Sequence, residues 1–130
     1  MDTDQVSGRW DANKGACPTR QVLSRIGDTW TMLVISTLER HGTMRSGQLK
    51  AAIEGITQKM LTQTLRQLER DGVVRRDVVP TVPISVSYTL TPLGQSLGVA
   101  VATMRTWAYD HMDEIVAARN DYDDRPTAEE

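Results

Sequence analysis

The sequence predicts a mainly α-helical fold carrying one small β-hairpin, and three stretches predict it. From Ile56 to Gly72 (ITQKMLTQTLRQLERDG) the leucines Leu61, Leu65 and Leu68 recur at the four- and three-residue steps of one buried helical face. Just before this segment, Gly55 supplies a sharp turn that joins it to a preceding helix. Behind Gly72 the pattern changes to the β-branched runs VVRRDVV and ISVSYTL around the proline-bounded PTVP, the mark of a two-stranded hairpin.

Taken in order, residues 1–16 show no period and read as a flexible N-terminal arm, with Trp10 large enough to dock on a partner surface. Cys17-Pro18 opens the first helix, whose apolar positions are Val22, Leu23 and Ile26 before Gly27. A second helix over about Asp28 to Arg40 is expected to turn Trp30, Leu33, Val34 and Leu38 inward and to stop at Gly42. Thr43-Met44-Arg45 has the length of a small edge strand. Ser46 suits the N-cap of a helix through Ile53, with Leu49 and Ile53 inward. Thr57 then caps the central helix, and Gly72 gives it a left-handed stop. Two helices across a tight turn with a hairpin directly behind them make a winged helix-turn-helix.

Thr91 caps the last helix, with Pro92 in its first position. Leu93, Leu97, Val101, Met104, Ala108, Met112 and Ile115 form a stripe along it over six turns. That stripe is more apolar than a small domain needs for its own core, so terminal dimerisation helices are expected. The expected seam comprises Val22, Leu97, Val101, Met104, Trp107 and Ala108. Alternatively, Met104, Trp107 and Tyr109 line a small effector cavity beside it. The domain so defined covers 17–118, and 119–130 reads as a disordered acidic tail.

At 130 residues the chain has room for one domain with a real core. No apolar run approaches the ~20 residues that cross a bilayer. The start, MDTDQVSGRW, is polar and acidic, unlike a secretory signal, so the cytoplasm is the expected location. One cysteine permits no intrachain disulfide and no cysteine-rich zinc site. His41 and His111 lack metal-ligand spacing, and no cofactor motif is present. An enzyme built on Cys17 as nucleophile lacks a placed base, and no glycine-rich phosphate loop exists.

The net charge of −2 conceals a division. From Pro18 to Arg76 ten Lys/Arg face five Asp/Glu, a balance of +5, whereas Asp110 to Glu130 has two Arg against eight Asp/Glu, a balance of −6. Within the basic part, the central helix turns outward a face of Gln58, Lys59, Thr62, Gln63 and Arg66, headed by Thr57. These side chains donate to base edges and phosphates, and none is acidic. Arg45, Ser46, Gln48 and Lys50 on the preceding helix, and Arg75 and Arg76 at the hairpin's base, are the candidate phosphate contacts. Double-stranded DNA is the expected partner.

CPTRQVL, IGDTWTMLVI, GITQKMLTQTLRQLERDGVV and VPISVSYTLTPLGQSL, in this order from Cys17 to about Trp107, resemble the HxlR-type branch of the MarR-like winged-helix repressors. The resemblance implies a homodimeric transcriptional regulator, joined by its terminal helices, with the helix of residues 57–70 in the major groove. Some members with a cysteine at the place of Cys17 respond to oxidants or electrophiles. One departure stands out: Ser85 occupies the place where the family's wing commonly carries a basic residue.

For Cys17 two readings remain open. It is a small buried hydrophobe, or a thiolate favoured by its place at a helix start and by Arg20, acting as a redox sensor. The effector is accordingly an oxidant or a small molecule at the dimer interface. A winged-helix module that binds protein instead of DNA is the remaining alternative.

Overall fold

The structure, a computed structural model, describes residues 10–126. Among these residues, eight elements follow one another: α1 (Pro18–Ile26), α2 (Thr29–His41), β1 (Met44–Arg45), α3 (Ser46–Ala52), α4 (Gln58–Arg70), β2 (Val74–Val79), β3 (Ser85–Leu90) and α5 (Pro92–Asp123). The strands form an antiparallel sheet in the order β1-β3-β2. Val74 lies opposite Leu90 and Val79 opposite Ser85 across the hairpin, while Met44 lies opposite Tyr88. The edge strand thus completes a three-stranded winged-helix sheet.

The central helix forms where its sequence predicts. The Thr57 hydroxyl accepts from the Met60 N–H at 3.1 Å, satisfying one of the donors that a helix start leaves open. Leu61, Leu65 and Leu68 are buried on one face. Past the C-cap Asp71, Gly72 takes φ +77°, a conformation that would strain a side chain, and sends the chain into β2. On the other side, Gly55 at φ +89° makes the turn between α3 and α4. Ile35, Leu38, Leu49, Leu61 and Val34 are the centre of a single core that Val74, Leu90 and Val101 close from the sheet and α5.

The last helix runs to Asp123, so 119–123 is helical where the sequence predicted a tail. The final expected tail residues, 127–130, lie outside the described residues, as does 1–9 of the expected arm. Residues 11–17 form a turn, in which the Lys14 N–H donates to the Asp11 carbonyl at 2.9 Å and the Cys17 N–H to the Lys14 carbonyl at 3.1 Å.

The inward face of α5 is not the stripe its large apolar residues suggest. Gly94, Gly98 and Val101 are its buried residues, and Arg105 donates to Ser36 and to Glu39 of α2. Two glycines on that face let the helix approach the rest of the domain closely. A Cβ at Gly94 would lie 2.0 Å from the Val73 carbonyl oxygen, and one at Gly98 would lie 3.2 Å from Glu39 Cγ. The helix is therefore rotated, and Leu93, Met104 and Met112 are left exposed. Val101, at 1% exposure, belongs to the protomer's own core and is removed from the expected seam.

Two smaller expectations are corrected in the same way. Leu33 is exposed at 40%, and Ile35 takes the core place assigned to it, because α2 is gripped by α5 from one side and by α4 from the other. The N-cap of α3 is Arg45, not Ser46, and Ser46 is the first helical residue. There the Gln48 side chain accepts from the Arg45 backbone N–H at 2.9 Å, so Gln48 secures the helix start.

Candidate nucleic-acid interface

The fold collects most of the expected contact residues around the outer face of α4. Gln58, Lys59, Gln63 and Arg66 are exposed along it and Thr62 is half-buried between them. No acidic residue occupies the first turn of the helix, where the positive end of its dipole lies. The Gln58 amide donates to Thr62 Oγ1 at 3.2 Å and to Ser46 Oγ at 3.4 Å, which fixes the head of α4 against the start of α3. Ser46 and Gln48 are thus committed to shaping the helix pair. Arg45 and Lys50 are exposed at the two ends of α3.

The two hairpin arginines separate. Side chains on a strand alternate between faces, and Val74 points into the core. Arg76, two residues on, shares that side and lines a groove of about 410 Å³ with Thr62, Leu65, Arg66, Glu69 and Tyr88. Arg75 faces away, opposite Thr89, and its guanidinium is bound to the Asp77 carboxylate at 3.0 Å. Of the pair, only Arg76 extends the cationic face of α4. The period-two pattern after buried Val74 carries this distinction in the sequence, and the sequence reading did not use it. Glu69 was also missed: it lines the same groove with one carboxylate, three residues after Arg66.

At the opposite end of α4, the Arg25 guanidinium of α1 donates to the carboxylate of Asp71. This ion pair links the first helix to the end of the outward-facing one. At the head of α1 lies Cys17, 8% exposed, whose sulfur accepts from the Asp11 N–H at 3.2 Å. The Thr19 hydroxyl is the main group holding the thiol's pKa below its ordinary value. Backbone N–H groups of Thr19, Asp11 and Arg20 act in the same direction, and burial opposes them. The charge of Arg20, expected to do this, is not among the causes.

Of the expected seam, Val22, Met104 and Trp107 are exposed, and Leu97 and Ala108 are half-buried. Trp107 stacks on His111 with ring centroids 4.5 Å apart. No group of His, Cys, Asp and Glu that could hold a metal occurs among the described residues, and none of their helices is long and apolar enough to cross a membrane.

This arrangement has known counterparts. A family model described as HxlR-like helix-turn-helix matches residues 25–116. The uncharacterised HTH-type transcriptional regulator YtfH of Escherichia coli strain K12 is 39% identical over 105 residues, covering 81% of this chain and 82% of the relative. The solved structure of the YtfH transcriptional regulator of Salmonella typhimurium superposes with a TM-score of 0.80 at 35% identity, covering 85% of this chain and 98% of that one. The redox regulator HypR in its reduced form gives 0.70 at 34% identity, covering 77% and 98%. With the family model spanning most of the chain and the winged-helix geometry around α4 in agreement, the protein belongs to the HxlR-like helix-turn-helix family of DNA-binding transcriptional regulators.

Proposed function

We propose that the protein is a homodimeric repressor that acts in the cytoplasm and reads a pseudo-palindromic operator with α4. The observation that carries this is the exposed face of Gln58, Lys59, Gln63 and Arg66, extended by Arg76 and free of acids in its first turn. Gln63 suits an adenine edge, and Arg66 suits guanine or a phosphate. Two such helices related by two-fold symmetry address half-sites ~10 base pairs apart, and occupancy of the operator blocks transcription. Support for the dimer is the apolar surface that the protomer leaves uncovered, with Val22, Leu93, Met104 and Trp107 all outward.

The two hairpin arginines provide the test. Measured by fluorescence anisotropy against a duplex selected from a random pool, Arg76→Ala is expected to weaken binding about tenfold. It should also lower the slope of log affinity against log salt by about 2, one phosphate per protomer. Arg75→Ala, already paired with Asp77 on the far face, should leave both nearly unchanged. Equal losses from the two substitutions would contradict the placement of the interface.

A second reading concerns regulation, and the hydrogen bonds around Cys17 favour it. We propose that Cys17 is an oxidant sensor: hydrogen bonds led by the Thr19 hydroxyl hold its pKa below the ordinary thiol value, and it heads the helix that Arg25 ties to Asp71 at the end of α4. Diamide takes two electrons and two protons from two thiols to leave one disulfide. With one cysteine per chain, the second thiol belongs to the other protomer or to a small thiol such as glutathione. Diamide should release wild-type protein from DNA in a band shift and leave Cys17→Ser bound. Identical release of both proteins would remove Cys17 from the mechanism.

A further inference from the structure

The wing of this protein is uncharged and apolar at its tip. No Asp, Glu, Lys or Arg occurs between Asp77 and Arg105. Val82 is fully exposed, Ile84 is 67% exposed, and Val78 and Val79 are about half exposed beneath them. The tip is nevertheless held in shape: the Thr81 N–H donates to the Val79 carbonyl at 2.7 Å, and the Thr81 hydroxyl to the Pro83 carbonyl at 2.7 Å. A compact apolar knob that is shaped by hydrogen bonds and turned to solvent needs an occupant.

Continuity with the DNA-binding face names one. On β2 the side of the strand that carries Arg76 beside α4 continues outward to Val78 and then to the tip. With α4 in the major groove, Arg76 meets the phosphate ridge that borders it. At about 3.3 Å per residue, the three steps from Arg76 to Val79 carry the strand roughly 10 Å further, and the turn of residues 80–84 lies beyond that, past the ridge toward the minor groove. A charged tip would bind phosphates there. This one has no cationic side chain to offer them: the Thr81 hydroxyl is already used, and Ser85 is a neutral hydroxyl at its base.

We infer that Val82 and Ile84 form an apolar minor-groove reader that selects A·T pairs under the wing. In the minor groove a G·C pair differs from an A·T pair by the guanine N2 amino group, a donor that projects from the floor. Aliphatic side chains pressed against that floor strip water from the amine and return no acceptor, which is costly for a buried donor. A·T pairs present no such donor. Specificity at the outer edges of the operator therefore comes from exclusion by Val82 and Ile84, without a hydrogen bond to any base.

The inference rests on the DNA-binding reading of α4, and inosine separates the two. Inosine·C keeps the pairing geometry and the major-groove edge of G·C but lacks the N2 amino group, and with it one of the three hydrogen bonds to cytosine. Starting from a selected operator, each pair outside the α4 half-sites is replaced in turn by G·C and by inosine·C, and affinity is read by anisotropy. Wild type should lose about tenfold at one or two positions per half-site with G·C and recover with inosine·C. Val82→Ser/Ile84→Ser, made at exposed positions the core does not use, should bind without that discrimination and with an unchanged salt slope. Inosine·C binding as weakly as G·C would overturn the inference, and so would discrimination that survives in the double variant. If the double variant instead loses only self-association, the tip is a protein contact and the inference also fails. The lowered salt slope of Arg76→Ala would still stand in each of these cases, whereas a wild type that binds no selected duplex would overturn both readings.

Discussion

Gly94→Ala is expected to destabilise the protein by about 2–3 kcal/mol and to lower its melting temperature by about 10 °C. Helix propensity alone argues for the opposite result, since alanine in place of glycine inside a helix favours it by up to ~1 kcal/mol. The contact decides. The added Cβ would lie 2.0 Å from the Val73 carbonyl oxygen, and backbone cannot rotate away as a side chain can. That carbonyl also accepts from the Thr91 N–H at 3.0 Å and from the Thr91 hydroxyl at 3.2 Å, so moving it breaks the cap of α5. Gly47→Ala is the control: nothing lies within 4 Å of its added Cβ, and the change should be neutral or slightly stabilising. Thermal unfolding followed by circular dichroism checks both. A Gly94→Ala protein that melts with the wild type would mean that α5 does not approach Val73 this closely.

The larger functional effect belongs to Arg66. Its exposed guanidinium lies between Gln63 in one groove and Arg76 in the other, at the centre of the face. A good bidentate contact contributes ~1–3 kcal/mol, and a two-fold dimer makes each contact twice. Arg66→Ala should therefore cost about 2–6 kcal/mol of operator affinity, roughly 30-fold to more than 10⁴-fold, with stability little changed because the residue is exposed. Titration of the variant against the selected duplex measures this. An affinity within threefold of wild type would place the reading surface elsewhere.

How much of this was legible depended on which residues carry a repeating signal. The helix-turn-helix and the wing were readable because Leu61, Leu65 and Leu68 keep one period, Gly55 and Gly72 mark the breaks, and the strands change the period to two. The outward residues of α4 followed from the same geometry. In α5 the rule failed, because its inward face is built partly from Gly94 and Gly98, and an apolar pattern does not register residues without side chains. The large residues beside them, Leu93, Met104 and Met112, were left outside by that close packing. They support association for this reason, whereas Val101 does not. Leu33 was expected inward and Ile35 is buried instead, for a related reason: two neighbours grip the helix, and a single stripe cannot say which residue of an apolar run faces both. The pairing of Arg75 with Asp77 needed the strand's facing, which only buried Val74 establishes.

Selection of bound duplexes from a random pool, carried out in parallel with wild type and Gln63→Ala, tests the assignment of α4 most directly. The predicted result is one symmetric consensus in which Gln63→Ala loses preference at a single base position per half-site while the other positions persist. An identical consensus from both proteins, at equal affinity, would contradict the claim that this face reads the operator.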